Sequence, residues 1–371
     1  MTRSGAGDRD ATTGLYLDNE RFHRTLTLPP TGTARPAALN VTYADFGHHN
    51  HERVLLICGP LFASRYVFTT KDALARQHGV RIVHLDRPGF GGTTDVGPPD
   101  RVRVWLDMVE AVLQHLAVEH VSVLGYSGGA VYAMNVLLHL RHRLHPTHPY
   151  VGLCTPWIGP ARTGVSLLKL AGLLPGALVG SFDRVVQFVQ ASIAPAIQFS
   201  SGLAAVVPSL GQAPSDSLAP GVDAEAVALE EGLFTELLHR MNSEDTQGLG
   251  QDALLLLKRE DYPGCWGSWG DYDALVPMLA QVERERCSAD PGSAGATHAP
   301  LRVSVYFAES DLMIGTTTGP AWFDHCWRPE QRGDGISYSS TTVAGTNHDN
   351  ILSLRYGVVE RIFQDIRATE R

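Results

Sequence analysis

Residues 123–133 read "VLGYSGGAVYA", and no other stretch constrains the fold as tightly. Val121, Val123 and Leu124 make a short apolar run of the kind that forms a buried strand, and Val131, Met134, Leu137 and Leu138 then recur at helical spacing. Ser127 stands at the junction, with Gly125 and Gly129 two residues to either side. A strand that passes into a helix through a single residue crowds that residue's backbone, so the flanking positions must be small. Such a junction is either a tight structural turn or an elbow that presents a hydroxyl at the head of a helix. There the free N–H groups favour developing negative charge.

The surrounding chain alternates strand and helix patterns. "LNVTYADFG", "RVLLICGP" and "VRIVHLDRPGFGG" read as strands, the last running into a glycine-rich loop. Asp100 is expected to cap a helix that puts Val102, Trp105, Met108, Val109, Val112 and Leu116 on one face. "YVGLCTPW" reads as a further strand. Continuous Val, Leu and Ile strands separated by helices predict a mostly parallel, doubly wound sheet covered on both faces. From about residue 161 to residue 300 the pattern is mostly helical, with a Pro/Ser/Gly loop at "VVPSLGQAPSDSLAPG" and a linker composition at "SADPGSAGATHAP". The alternation then resumes with "LRVSVYFAESD", a helical segment near "GPAWFDHCW", "ISYSSTTVAG" and a terminal helix. The expected organisation is therefore a first core part over 1–160, with 1–20 as a flexible tail. An insertion over 161–300 and a second core part over 301–371 follow.

A serine hydroxyl is a weak nucleophile until a base takes its proton and an acid orients that base. Asp311 follows the strand "VSVYFAES" and His348 follows "STTVAGTN", so both stand at strand ends and the chain order is Ser, Asp, His. Taken singly, Asp311 also reads as a helix cap and His348 as a loop histidine. Glu309 has the same strand parity as Asp311, so spacing alone leaves it open as the acid.

With these residues in place, the chain resembles the α/β-hydrolase superfamily over roughly residues 38–160 and 300–368. The resemblance is carried by the elbow "GYSGG", the loop "DRPGFGGT", and the distal "ESD" and "NHDN" segments. It implies an α/β-hydrolase fold with a large, mostly helical lid after the sixth strand, Asp311 as acid and His348 as base. Asp86 and Arg87 of the "DRPGFGGT" loop read as structural. The family's oxyanion loop usually begins His-Gly and donates the N–H of the next residue. Here the segment is "CGPLF", with Cys58 in place of the histidine and Pro60, which has no N–H, at the donor position. Either Leu61 supplies the donor in a shifted turn, together with Gly128, or Gly128 acts alone.

Serine at the elbow excludes the aspartate-based alkyl-enzyme route of haloalkane dehalogenases and most epoxide hydrolases of this fold. The "HGGPG" loop of proline iminopeptidases is missing. What remains is a cofactor-independent serine hydrolase acting on an ester, thioester or lactone of a partly apolar small molecule, with C–C or amide cleavage ranked below. The alternative is a ligand receptor, or a lyase or isomerase, that uses the same cavity. Tyr126, Trp266 and Trp269 are candidate substrate-binding residues, Trp266 and Trp269 also reading as aromatic packing of the lid.

Composition narrows the classes further. A net charge of −9 over 371 residues argues against nucleic acid, which demands basic patches. The five cysteines, Cys58, Cys154, Cys265, Cys287 and Cys326, show no CxxC or metal spacing and read as reduced thiols. "HHNHE" reads as a solvated turn, and Gly89, Gly91 and Gly92 lack a dinucleotide fingerprint. No metal or cofactor is expected. The polar N-terminal residues carry no secretory pattern, and no apolar run suits a membrane span, so a cytoplasmic location is expected.

Overall fold

Strands rich in Val, Leu and Ile on both faces require cover on both sides, and the sheet receives it. The structure is a computed structural model, and it describes residues 15–31, 35, 37–49, 52–166, 218–257, 266–289 and 299–367. Its strands are β1 (Arg24–Leu28), β2 (Leu39–Gly47), β3 (Val54–Cys58), β4 (Arg81–Leu85), β5 (Ser122–Tyr126), β6 (Tyr150–Cys154), β7 (Leu301–Ser310) and β8 (Ile336–Asn347). They form one sheet in the order β1-β2-β4-β3-β5-β6-β7-β8. β1 and β2 are antiparallel to their neighbours, and every pairing from β4 through β3 to β8 is parallel. Along β3, Val54, Leu56 and Cys58 enter the larger core cluster, while Leu55 and Ile57 enter the cluster on the opposite face.

The helices are α1 (Asp72–Gln77), α2 (Pro98–His115), α3 (Gly129–His139), α4 (Ala224–Ser243), α5 (Gly248–Leu256), α6 (Tyr272–Ala289), α7 (Thr318–Cys326), α8 (Pro329–Arg332) and α9 (Val358–Arg367). α2, α3, α6 and α7 contribute to the larger cluster, and α1 and α9 to the other. Val358, Val359, Ile362, Phe363 and Ile366 make the buried stripe of α9 at helical spacing. The described elements between β6 and β7 are the helices α4, α5 and α6. Leu255, Leu256, Tyr272, Leu275, Val276 and Leu279 of α5 and α6 lie in the larger core cluster.

Three sequence expectations change. β1, "RTLTL", was not anticipated: it is a half-exposed edge strand whose alternating threonines give little apolar signal. It makes β6 the sixth strand. α2 begins two residues before Asp100, with Gly97 as its cap and Pro98 and Pro99 in its first turn. Proline suits that position because its fixed φ is helical and the N–H it lacks would be unpaired there. Asp100 instead sits in the first turn, facing the positive end of the helix dipole. Of the expected tail, Leu17 is fully buried in a cluster with Tyr66, Leu233 and Leu237. Residues 1–14, 32–34, 36, 50–51, 167–217, 258–265, 290–298 and 368–371 lie outside the described residues. With them go most of the Pro/Ser/Gly loop, the linker and Cys265.

Trp105 on α2 is fully buried and meets Tyr132 of α3 edge-on, with ring centroids 5.4 Å apart. Its indole N–H finds no hydrogen-bond partner among the described residues. Trp105→Ala should therefore lower unfolding free energy by about 3–5 kcal/mol in denaturant titration. Trp105→Phe should cost far less, because it also removes an unsatisfied buried donor. Equal losses for the two variants would contradict this reading of the α2–α3 contact.

Candidate active site

β5 ends at Tyr126 and α3 opens at Gly129, so Ser127 and Gly128 alone make the turn. Ser127 has φ 51°, a left-handed conformation that costs on the order of 1–3 kcal/mol for a residue with a side chain. Hydrogen bonds hold it there. Its N–H donates to the Cys154 carbonyl at 3.0 Å, and its own carbonyl accepts from the N–H groups of Ala130 and Trp157, both at 3.0 Å. Packing adds to the demand for glycine on either side. A Cβ on Gly129 would lie 1.9 Å from the Cys58 carbonyl oxygen, and one on Gly125 would lie 2.9 Å from the Ala130 Cα.

Asp311 and His348 are the first residues after β7 and β8. The two strands lose simple register near their ends, where Ala308 pairs with Val343 but Ser310 pairs with Asn347. Gly345, at φ 72°, takes up the extra length on β8. Glu309 is spent on this irregularity: it is exposed, and its carboxylate accepts from the Gly345 N–H at 2.8 Å. Asp311 is buried and meets His348. The His348 Nδ1–H donates to Asp311 Oδ2 at 2.8 Å, while Asp311 Oδ1 accepts from the N–H groups of Met313 and Ile314, each at 2.8 Å. With Nδ1 protonated toward Asp311, Nε2 is left to accept the Ser127 hydroxyl, 2.8 Å away. The structure thus brings Ser127, His348 and Asp311 into one hydrogen-bonded chain. A hydroxyl so connected can give up its proton to the imidazole.

Burial pulls the His348 pKa down, but the Asp311 charge and hydrogen bond, with help from Asp349, outweigh it and raise the imidazole above its ordinary value. The backbone of His348 is held from beneath. Tyr126 donates its O–H to the His348 carbonyl at 2.9 Å, and Thr155 Oγ1 approaches the same oxygen at 3.4 Å. Tyr126, expected as a substrate contact, is buried and has its hydroxyl committed to this support. Thr155 was not anticipated, and nothing in its sequence context distinguishes it.

β3 runs parallel to β5 with Cys58 opposite Gly125, which puts the segment Gly59–Leu61 beside the turn at Ser127. The Leu61 backbone nitrogen lies 3.7 Å from the point a Cβ on Gly128 would occupy. Neither the Leu61 N–H nor the Gly128 N–H donates to a carbonyl of the loops and turns among the described residues. Leu256 Cδ1, from α5, lies 2.9 Å from the same point and covers it with an apolar group. The Cys58 thiol is fully buried, and burial raises its pKa, so it stays protonated.

Trp266 and Trp269, expected as substrate contacts, have packing partners in the structure. Both are buried in an aromatic group with Tyr272, their ring centroids 5.0 Å apart. The Trp266 N–H donates to the Leu255 carbonyl and the Trp269 N–H to Asn135 Oδ1. These contacts join the β6–β7 segment to α3. His48 and His49 line a surface hollow with Arg21, Gly47 and Arg76. Among the described residues no group of three or more His, Cys, Asp and Glu side chains is placed to hold a metal ion.

Residues 53–146 match the family model described as alpha/beta hydrolase fold. No curated protein sequence matches the chain. Solved structures are similar across most of its length. An esterase from Exiguobacterium antarcticum aligns with a TM-score of 0.55 at 13% identity, over 92% of this chain and 98% of its own. An enol-lactonase from Burkholderia xenovorans aligns at 0.52 and 12% identity, over 93% and 99%. A bromoperoxidase from Bacillus anthracis aligns at 0.51 and 12% identity, over 93% and 100%. At such identities the likeness establishes the architecture that the strand order already describes.

The His348 environment predicts its titration. Asp311 favours the imidazolium and burial opposes it, so the pKa should lie above about 6.5 in the native protein and below it in Asp311→Asn, where burial is opposed only by the weaker effect of Asp349. NMR titration of the His348 ring checks both. An unchanged midpoint in the variant would show that Asp311 does not set the charge of His348.

Proposed function

We propose that this protein, which has the α/β-hydrolase fold, is a serine hydrolase that cleaves carboxylic esters, thioesters or lactones through an acyl-enzyme. The observation that carries this reading is the chain Ser127–His348–Asp311, with 2.8 Å at each link, and the Leu61 backbone nitrogen 3.7 Å from the Cβ position of Gly128 supports it. As Ser127 Oγ forms its bond to the carbonyl carbon, His348 Nε2 takes the hydroxyl proton and Asp311 stabilises the imidazolium. The carbonyl oxygen becomes an oxyanion that accepts from Leu61 and Gly128, which answers the loss of a donor at Pro60. The acyl C–O or C–S bond then breaks, and the imidazolium gives its proton to the leaving oxygen or sulfur. Water attacks the acyl-serine, His348 takes its proton, and Ser127 departs as the hydroxyl. No step needs a metal or an organic cofactor.

The Leu256 side chain against Gly128 supports a substrate with an apolar acyl or alcohol portion. An esterase and an enol-lactonase are among the proteins of this fold. No helix among the described residues is long and apolar enough to cross a membrane. The helices between β6 and β7 are read as the lid over this site.

A fluorophosphonate probe should label Ser127 in the wild type, and Ser127→Ala should abolish labelling and lower ester or lactone turnover by on the order of 10³-fold or more. Near-wild-type turnover in a folded Ser127→Ala protein would refute the assignment. A native protein that takes no label would favour the receptor reading instead. Asp311→Asn should also lower kcat by on the order of 10³-fold, since the imidazole loses the partner that fixes its tautomer. Glu309→Gln should have a mild effect, and the opposite ranking would move the acid role to Glu309.

A further inference from the structure

Pro60 makes the loop that carries Leu61 unusual, and the loop is not held by its own chain alone. Arg87, from the loop after β4, reaches three consecutive carbonyls of it. Its Nη1–H donates to the Gly59 oxygen at 2.5 Å, and its Nη2–H groups donate to the Pro60 and Leu61 oxygens at 2.7 and 2.9 Å. All three carbonyls are thus bound by one guanidinium, and the Leu61 nitrogen lies 3.7 Å from the Cβ position of Gly128. The Nε–H of Arg87 donates to Asp252 Oδ2 at 2.6 Å.

Asp252 belongs to α5, in the segment between β6 and β7. Its other oxygen accepts from Arg101 Nε–H at 2.7 Å and from the Tyr132 hydroxyl at 2.5 Å. Arg87, Arg101, Tyr132 and Asp252 are all at most 2% exposed. The same stretch docks further onto the Arg87 loop. The Gly248 N–H donates to the Gly89 carbonyl at 2.9 Å, and the Gly91 N–H donates to the Asp245 carbonyl at 3.0 Å. The Leu61 side chain packs on a small cluster of Phe90 with Leu249, Ala253 and Leu254 of α5.

We infer that Arg87 and Asp252 are positioning residues for the Leu61 donor, so that the oxyanion site is complete only when α5 is docked on the core. This rests on the hydrolase reading above. A buried ion cluster contributes little net stability compared with apolar packing, which leaves geometry as the reason for this one. The planar guanidinium fork spans the three carbonyls and the carboxylate together, and a lysine ammonium cannot.

The test uses the full chain with Arg87→Lys, Asp252→Asn and, as control, Glu283→Gln. Glu283 is an equally buried carboxylate on α6 whose ion-pair partners among the described residues are Arg141 and Arg286, neither of them part of the Ser127 hydrogen-bonded chain. Arg87→Lys and Asp252→Asn should each lower kcat by about 10–100-fold, with KM changed little and the His348 limb of the pH profile unmoved. Fluorophosphonate labelling should slow in parallel. Amide exchange at Ala63, whose N–H closes the loop onto the Pro60 carbonyl at 3.2 Å, should accelerate in both variants. Glu283→Gln should lower Tm while kcat, labelling and Ala63 exchange stay at wild-type values. Folded Arg87→Lys protein with wild-type kcat and wild-type Ala63 exchange would overturn the inference, and that variant decides if Asp252→Asn does not fold. A kcat loss matched by Glu283→Gln would reduce the effect to general destabilisation and overturn it equally. If native protein takes no label at Ser127, the hydrolase reading fails, and Ala63 exchange by itself decides whether Arg87 and Asp252 hold the loop.

Discussion

The left-handed backbone at Ser127 is the constraint on which the rest of the site depends. A strand can enter a helix without a connecting loop only if one residue bends sharply, and that bend brings the head of α3 against the end of β3. Gly129 then lies in contact with the Cys58 carbonyl, closer than any side chain would permit. The same contact fixes the distance between the serine hydroxyl and the loop that begins at Gly59. Hydrogen bonds to the Cys154 carbonyl and from the Trp157 N–H lock the bend to the end of β6. The strain is offset by parallel strands on both sides of β5, so the hydroxyl is held rigidly.

Electrostatics at His348 is a balance between two large effects of opposite sign. Burial alone would keep the imidazole neutral and make it a reluctant carrier of charge. Asp311 reverses that, and its own charge is supported by the backbone N–H groups of Met313 and Ile314. The carboxylate therefore anchors the β7 loop and biases the histidine at once. Tyr126 and Thr155 meanwhile hold the His348 carbonyl, so the ring cannot shift without breaking contacts to β5 and the end of β6.

The segment between β6 and β7 is registered on the core by carboxylates that are buried, or half-buried in the case of Glu244. Glu230 of α4 accepts from Lys71, from the Ser353 hydroxyl and from the Leu354 N–H, near the chain that follows His348. Glu244 pairs with Arg65, which also holds Asp86. Asp252 meets Arg87 and Arg101, and Glu283 meets Arg141 and Arg286. Such pairs gain little over apolar packing in free energy but tolerate few alternative placements, because a displaced buried charge is costly. They specify where the helices sit, while Trp266, Trp269 and Tyr272 supply the apolar area.

Much of this was legible in the sequence, because it is local. Strand and helix periodicity follow from which side chains must be buried, and glycine at positions 125 and 129 follows from crowding around one bent residue. Ser127, Asp311 and His348 could be nominated from their places at strand ends, since topology sends successive parallel strands to the same edge of the sheet. Local pattern failed where the signal was weak or ambiguous. A half-polar edge strand at Arg24–Leu28 resembles a loop, two prolines displaced Asp100 from the cap, and Glu309 shared the parity of Asp311 until the β7–β8 irregularity separated them. Only the tertiary structure decided what depends on distant partners. Tyr126 is a support for His348, Trp266 and Trp269 are packing, and Arg87 joins the Gly59–Leu61 carbonyls to Asp252, 165 positions further along the chain. Hydrogen bonds across such separations carry no periodicity, so they leave no trace in a sequence until the chain has folded.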